Sequence, residues 1–168
     1  SSNRDVDSLK DLTLVGIGDS IMLGAIDELQ SKFPNGYFDA AVSRTAYVAN
    51  GIIRDLSYSG LLGDPVVINL GANGDCDNAT KDLIMSNLGN RKVFWLNVTN
   101  DYSVGVNANL NSYASRFNNL YVIDWNSISS GHPEYFIADG IHLTYEGKKA
   151  YVKAIYDSIY KVYLDEYN

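Results

Sequence analysis

The segment TLVGIGDSIMLGAIDELQ, residues 13–30, carries the pattern on which the predicted fold depends. Residues 13–17 are short and rich in β-forming side chains, which predicts a buried strand, and residues 21–30 have apolar side chains at helical spacing. Ser20 therefore falls at a strand-to-helix turn, where its hydroxyl lies at the carboxyl edge of a parallel sheet. This position suits a nucleophile. The alternative is that Gly18 and Asp19 form a tight turn and Ser20 caps the helix.

The rest of the chain repeats the alternation of strand and helix patterns. Four further strand patterns and four further helix patterns occur, with strands at 37–42, 66–70, 92–98 and 120–124 and helices at 46–62, 78–88, 106–117 and from Thr144 onward. Residues 125–138 are predicted to form a loop, and residues 1–12 a lead-in to a single domain over 13–168. This alternation predicts a three-layer α/β/α fold with a central parallel sheet of about five strands.

Composition excludes several classes of function. The 168-residue chain has a formal net charge of −7, which argues against a nucleic-acid partner because phosphate binding needs a basic face. The single cysteine, Cys76, excludes an intrachain disulfide and provides too few thiols for a structural zinc site. No apolar run approaches the length that a bilayer requires. We expect no cofactor and no bound metal.

Asp139-Gly-Ile-His142 brings a carboxylate and an imidazole close together in sequence. A single turn lets Asp139 accept a hydrogen bond from one ring nitrogen, so that the other nitrogen faces outward as a base. A serine hydroxyl is a poor nucleophile until such a base takes its proton. Ser20, His142 and Asp139 thus form a nucleophile, base and orienting set. The alternative for this pentapeptide is a surface histidine paired with a neighbouring acid.

Three groups are candidates for stabilising the oxyanion of an acyl-transfer reaction. They are the backbone N–H of Ser20, the backbone N–H of Ser43 in the turn after the second strand, and the side-chain amide of Asn73 after the third strand. The alternative for Asn73 is that Asn73-Gly74 simply forms a turn.

Three separated motifs, Gly18-Asp-Ser20, Gly71-Ala-Asn73 and Asp139-Gly-Ile-His142, resemble those of the SGNH (GDSL-type) hydrolases in the same order. Segments 122–126, 131–136 and 139–143 more narrowly resemble the extracytoplasmic domain of OatA-type peptidoglycan O-acetyltransferases. The resemblance implies a flavodoxin-like fold, with Ser20 as nucleophile, His142 as base and Asp139 as its orienting group.

The sequence departs from the family pattern at two positions. The glycine usual after the second strand is Ser43, so its oxyanion donor must be a backbone N–H. The third motif often reads Gly-x-Asn-Asp, whereas here Gly74 follows Asn73 and the acid is displaced to Asp75.

Arg44 and His132 are weaker candidates for contacts with substrate. Arg44 lies beside the Ser43 turn and either holds a substrate group or pairs with a surface acid. His132 either touches a sugar or serves a structural role before Pro133. A metal site built from His132, His142 and Asp139 would consume the proposed base.

The function predicted from this resemblance is transfer of an acetyl group, through an acetyl-enzyme, to the C6 hydroxyl of N-acetylmuramic acid in peptidoglycan. A membrane acyltransferase domain of the parent chain is expected to supply the acetyl group. The chain is then an excised domain from the extracytoplasmic face of a bacterial membrane. The alternatives are a secreted carbohydrate or lipid acetylesterase and a non-catalytic glycan-binding domain.

Overall fold

The computed structural model describes residues 9–99 and 103–167. Its five strands are β1 (Val15–Gly18), β2 (Tyr37–Ala40), β3 (Val66–Asn69), β4 (Val93–Leu96) and β5 (Leu120–Ile123). Its helices are α1 (Ser20–Gly24), α2 (Ile26–Lys32), α3 (Ala49–Tyr58), α4 (Asn78–Leu88), α5 (Ser103–Ala114), α6 (Trp125–Ser129) and α7 (Tyr145–Tyr167). Three short 3₁₀ turns cover Leu9–Asp11, Ala46–Val48 and Pro133–Tyr135.

All five strands lie in one parallel sheet with the order β2-β1-β3-β4-β5. Strand β1 lies between β2 and β3. It pairs with β2 from Val15↔Tyr37 to Gly18↔Ala40, and with β3 from Val15↔Val66 to Gly18↔Asn69. The predicted five-stranded α/β sheet is thereby confirmed.

Apolar side chains of the strands feed two cores, one on each face of the sheet. On β3, Val66 and Ile68 pack into the core formed with α3, α4 and α5, whereas Val67 packs into the core formed with α1, α2, α6 and α7. Successive strand residues point to opposite faces, so a strand buried on both faces must be apolar throughout. The predicted three layers follow from this pattern.

Several predicted boundaries differ from the observed elements. The helix predicted over 106–117 is observed at Ser103–Ala114. The helix predicted over 21–30 is divided at Ala25, whose N–H bonds back to the carbonyl of Met22, three residues earlier, after the weak helix former Gly24. The helix predicted over 46–62 begins as a 3₁₀ turn and ends at Tyr58, before Gly60 with a φ of 72°.

The segment predicted as a loop over 125–138 contains α6 and a 3₁₀ turn. Asp124 caps α6 by accepting a hydrogen bond from the N–H of Ser127 at 3.1 Å. Trp125, the first residue of α6, is buried in the core beneath the sheet. The sequence pattern did not predict α6 because this helix has only five residues, which are too few to show helical periodicity.

The packed region reaches back to Leu9, which is buried in the core on the α7 side. Residues 1–8 of the predicted lead-in lie outside the described residues, and the division at residue 12 stays a prediction. Within 9–99 and 103–167, no helix combines the length and the apolar character needed to cross a bilayer.

The strand order reverses direction at β1, because β2 lies on one side of it and β3 on the other. In open parallel sheets, ligands bind beyond the carboxyl ends of the strands at such a switch point. The turns after β1, β2 and β3 contain Ser20, Ser43 and Asn73 respectively, so the topology brings these residues to one edge.

Candidate active site

Ser20 is the first residue of α1, and Asp19 before it is the helix cap. The Asp19 Oδ1 atom accepts a hydrogen bond from the N–H of Ile21 at 2.9 Å. The alternative in which Ser20 caps the helix is therefore wrong. Gly18 permits this close turn, since a Cβ there would lie 2.4 Å from the Cβ of Met22. The Ser20 hydroxyl remains available to other partners.

The partner of that hydroxyl is His142, 122 residues later in the chain. Ser20 Oγ lies 2.8 Å from His142 Nε2, and the contact is partly buried. On the other side of the ring, His142 Nδ1 lies 2.5 Å from Asp139 Oδ2. The three side chains form one continuous chain of hydrogen bonds, as the serine-histidine-aspartate pattern predicts.

Asp139 is held by its own turn. Its Oδ1 atom accepts hydrogen bonds from the backbone N–H groups of Ile141 and His142, both at 2.9 Å, and Gly140 between them has a φ of 70°. The hydrogen bond with His142, followed by these two backbone bonds, lowers the pKa of Asp139 to about 2. The carboxylate therefore stays ionised at neutral pH.

A small antiparallel bridge and an N-cap hold the His142 segment in place. Phe136 pairs with Leu143, and the N–H of Ile137 donates to the carbonyl of His142 at 2.9 Å. Thr144 caps α7 as predicted, because its Oγ1 atom accepts from the N–H of Gly147 at 3.1 Å. Beneath the bridge, the Trp125 ring packs against the ring of Phe136 with centroids 6.2 Å apart. Buried aromatic contacts of this kind fix the position of a surface segment.

The side chains of the triad are not enclosed. His142 and Asp139 are 44% and 40% exposed, so both side chains border solvent. A groove of about 700 Å³ lies between α2 and α7, and none of Ser20, Asp139 and His142 is among the residues that line it.

Ser43 has a φ of 62°, the left-handed conformation that glycine adopts most easily. Among the described residues it is the one non-glycine with a positive φ. The residue thus keeps the backbone conformation typical of a glycine at this turn, although its side chain is that of serine. A conformation of this kind costs on the order of 1–2 kcal/mol for a residue with a Cβ.

Arg44 holds the same turn from inside the protein. Its Nη1 atom donates to the carbonyl of Asp39 at 2.8 Å and lies 2.9 Å from the carboxylate of Asp39. The same atom is 3.4 Å from the carbonyl of Gly18, at the end of β1. Two roles were considered for Arg44. The structure shows its pairing with an acid, Asp39, and contact with substrate stays a prediction.

Asn73 is exposed at the turn after β3 and lies close to the Ser43 turn. Its Nδ2 atom donates to the carbonyl of Arg44 at 3.0 Å. An amide nitrogen carries two hydrogens, so a second donor is available at this edge. The turns after β2 and β3 are therefore linked through a side-chain amide.

A buried lysine supports the Asn73 turn, and the sequence analysis did not identify it. Lys81 is 1% exposed and donates to Asp75 Oδ1 at 2.8 Å and to the Cys76 carbonyl at 2.6 Å. Asp75 Oδ2 also accepts from Asn109 at 2.9 Å. The sequence could have indicated this burial, because Lys81 falls on the same face of α4 as the apolar residues Ile84 and Leu88. A charged residue in such a stripe indicates a buried ion pair.

The Asp19 carboxyl group is fully buried beneath Ser20. Burial is the largest effect and raises the pKa of Asp19 overall. The backbone N–H groups of Ile21 and Ala72 and the nearby His142 oppose this rise. The side chain thus connects the start of α1 with the residue before Asn73. The sequence analysis considered Asp19 only as part of a turn, although Asp before a helical pattern is a usual cap.

His132 belongs to a different group of contacts. Its Nδ1 atom lies 2.8 Å from a carboxylate oxygen of Glu134, and its ring stacks on that of Tyr135 with centroids 4.5 Å apart. No contact among the described residues joins His132 to Ser20 or His142. The structural role considered for His132 has these contacts in its favour, and contact with a sugar stays a prediction. In the described parts of the chain, no three His, Cys, Asp or Glu side chains group as a metal site.

Comparison with known proteins identifies relatives along most of the chain. No protein-family model matches it. The O-acetyltransferase OatA of Staphylococcus aureus (strain NCTC 8325 / PS 47) is 33% identical over 138 residues, which are 80% of this chain and 23% of that protein. A second Staphylococcus aureus protein, from strain MSSA476, is provisionally named an O-acetyltransferase. It is 36% identical over 148 residues, which are 86% of this chain and 24% of that protein. The chain spans about a quarter of the length of these curated relatives.

Solved structures agree with this relationship. The catalytic domain of the Streptococcus pneumoniae peptidoglycan O-acetyltransferase A (OatA) is 26% identical, with a TM-score of 0.77 over 90% of this chain and 94% of that one. A family 3 carbohydrate esterase of Clostridium thermocellum is 16% identical, with a TM-score of 0.73 over 92% and 98% of the two chains. This second likeness concerns the fold alone.

Proposed function

We propose that this chain, which belongs to the SGNH (GDSL-type) hydrolase family and is a homologue of the OatA O-acetyltransferases, transfers acetyl groups to peptidoglycan. The proposed nucleophile is Ser20. The observation that carries the proposal is the hydrogen-bonded chain from Ser20 Oγ through His142 to Asp139, with distances of 2.8 and 2.5 Å. A nucleophile, a base and an orienting carboxylate in this order perform acyl transfer on several unrelated folds.

In the first step, Ser20 Oγ attacks the carbonyl carbon of an acetyl donor while its proton passes to His142 Nε2. The new C–O bond produces a tetrahedral oxyanion. When the oxyanion collapses, the bond to the donor oxygen breaks and the imidazolium returns the proton to that leaving oxygen. The products are the acetyl ester of Ser20 and the free donor alcohol. Asp139 holds the imidazole in the required tautomer and stabilises its charged form.

The oxyanion is stabilised by the N–H of Ser20, the N–H of Ser43 and the side-chain amide of Asn73. Supporting this assignment, Ser20 opens α1, where N–H groups are free of helical bonds, and Ser43 keeps a glycine-like φ of 62°. Asn73 is linked to the Ser43 turn through its hydrogen bond to the Arg44 carbonyl. Donors that are already in place need no rearrangement when charge develops.

In the second step, a sugar hydroxyl attacks the carbonyl carbon of the acetyl-enzyme while its proton passes to His142 Nε2, and a second oxyanion forms. The proposed acceptor is the C6 hydroxyl of N-acetylmuramic acid. When the oxyanion collapses, the bond to Ser20 Oγ breaks and the imidazolium returns the proton to that oxygen. His142 is 44% exposed, so an acceptor hydroxyl can approach it from solvent.

Esterase activity is the second candidate, since that same exposure admits water. With water as acceptor, the identical residues release acetate, and the protein is an acetylesterase. A non-catalytic glycan-binding domain is disfavoured, because binding alone does not need a complete set of nucleophile, base and orienting group.

The acetyl donor and the location are part of the proposal. The curated relatives are about four times as long as this chain, which fits a parent protein in which a membrane acyltransferase domain delivers the acetyl group. The domain would then act at the extracytoplasmic face of a bacterial membrane.

Mass spectrometry of products tests the proposal. The wild type and Ser20→Ala are incubated with a small activated acetyl ester, with and without short peptidoglycan fragments, and Ser57→Ala on the exposed face of α3 is the control. Acetylated muropeptide that depends on Ser20 establishes transfer, and acetate alone, unchanged by glycan, assigns an esterase. Ser20→Ala should lose about 10⁴-fold in turnover. Near-native turnover in that variant would refute Ser20 as the nucleophile.

A further inference from the structure

Arg44 contacts all three regions that lead to the proposed oxyanion donors, through its side chain at β1 and β2 and through its backbone carbonyl at Asn73. Its guanidinium lies at Gly18, two residues before Ser20, and at Asp39 on β2, which leads into the Ser43 turn. Its own carbonyl accepts the hydrogen bond from Asn73. The side chain is 16% exposed, so little of it is available to a substrate.

We propose that Arg44 is a positioning residue, which holds the Ser43 and Asn73 donors in the geometry that receives the oxyanion, and that it does not bind the substrate. This inference rests on the proposed function and deepens it. The bond from the Arg44 guanidinium back to Asp39, which we call the Arg44–Asp39 clasp, closes a ring that includes residues 40–43. It thereby restrains Ser43 in its left-handed conformation. The charge-assisted bond between guanidinium and carboxylate is partly shielded from solvent, since the side chains of Arg44 and Asp39 are 16% and 33% exposed.

The restraint has a specific purpose at Ser43. A residue with a Cβ tends to leave the left-handed region. Such a change in φ at Ser43 would reorient the Ser43 N–H that is proposed to donate to the oxyanion. The same movement would carry the Arg44 carbonyl away from Asn73 Nδ2, now at 3.0 Å. Loss of the clasp would therefore disturb two of the three donors together. Misplacement by about 1 Å can reduce turnover by about 10²-fold.

The test compares Arg44→Met with wild type, using a small neutral acetyl ester such as nitrophenyl acetate. Such a substrate carries no sugar and no negative charge for a guanidinium to pair with, whereas both acylation and deacylation of Ser20 pass through an oxyanion. Burst kinetics separate the two rates, and we expect each to fall by about 10- to 100-fold. Arg54→Met, at an exposed position of α3, is the matched control and should keep both rates. Thermal denaturation shows that the variants compared are folded.

A second variant separates positioning from binding. Glycine adopts a φ of 62° without steric strain, so Ser43→Gly should make the turn less dependent on the clasp. In the Ser43→Gly background, Arg44→Met should therefore cause a loss at least about tenfold smaller than in the wild type, as a double-mutant cycle measures. Asp39→Asn should lower the rates in the same direction, and combined with Arg44→Met it should add little more.

Two results would overturn the inference. One is that Arg44→Met leaves both rates with the small ester unchanged and slows the reaction only when a peptidoglycan fragment is the acceptor, which would make Arg44 a substrate contact. The other is an equal loss in the Ser43 and Gly backgrounds. Failure of the proposed function is distinguishable, since it appears as activity that persists in Ser20→Ala whatever Arg44 does.

Discussion

Replacement of Asp139 by asparagine tests the geometry of the triad, because the surrounding backbone dictates how the new amide must point. The oxygen Oδ1 accepts hydrogen bonds from the N–H groups of Ile141 and His142, each at 2.9 Å. In Asp139→Asn, the amide oxygen keeps these two bonds, so its NH₂ group faces His142 Nδ1. That nitrogen must then be unprotonated, and the proton moves to Nε2, where it faces Ser20 and prevents the ring from acting as a base.

The expected loss follows from two contributions. Turning the amide over would sacrifice two backbone hydrogen bonds of about 1 kcal/mol each, so only about one molecule in 30 would have the productive tautomer. Loss of the carboxylate charge beside the developing imidazolium costs about 2 kcal/mol more, the difference between an ionic and a neutral hydrogen bond. Because about 1.4 kcal/mol corresponds to a tenfold change in rate, Asp139→Asn should reduce turnover by about 10³-fold.

Asp139→Ala provides the contrast. It removes the charge but imposes no tautomer, so its turnover should exceed that of Asp139→Asn by about tenfold or more, although asparagine is the closer substitute in shape. Hydrolysis of a chromogenic acetyl ester gives kcat for both variants, with Asp55→Asn on the surface of α3 as control. If Asp139→Asn kept a tenth of wild-type turnover, or exceeded Asp139→Ala, the reasoning from the two backbone donors would be refuted.

Three further expectations concern stability. Gly147→Ala should destabilise by about 2 kcal/mol in chemical denaturation, since its Cβ would lie 1.9 Å from the Tyr135 carbonyl oxygen. Gly51→Ala, which has open space in α3, should instead stabilise by a few tenths to about 1 kcal/mol; equal effects at both sites would contradict the predicted contact. Lys81→Met should lower stability by about 2 kcal/mol by removing a buried ammonium from its bonded acceptors, and an unchanged denaturation midpoint would refute this. Because the pKa of Asp139 is lowered from its ordinary 3.8 to about 2, its ionised form stabilises the protein above pH 4, and this stabilisation disappears as the pH falls to 2. The difference in Tm between wild type and Asp139→Asn should shrink over that range, and a constant difference would contradict it.

The sequence alone was enough to predict the layers of the fold. Short apolar runs such as 66–70 can be buried only when both faces of a strand are covered, and their alternation with helical patterns leaves a parallel sheet as the consistent arrangement. It was also enough to identify Asp139 and His142 as partners, because one turn brings them together. These are local properties, determined by spacing along a few residues.

The approach of Ser20 to His142 is a property of the tertiary structure, since the two residues are 122 positions apart and meet only when β1 and the segment before α7 end at the same edge. The sequence analysis grouped the two residues by their chemistry, and the family resemblance supported that grouping. Boundaries of short elements such as α6 were likewise missed, because five residues do not show a period.

The contacts that support the site depended entirely on tertiary structure. From the sequence, Arg44 was a candidate for binding substrate, and Lys81 was an unremarked residue of a helix. In the folded chain, Arg44 joins the turns after β1, β2 and β3, and Lys81 is buried against Asp75. A long charged side chain can point to solvent or to a neighbouring carbonyl, and only the arrangement of the surrounding backbone determines which of these it does.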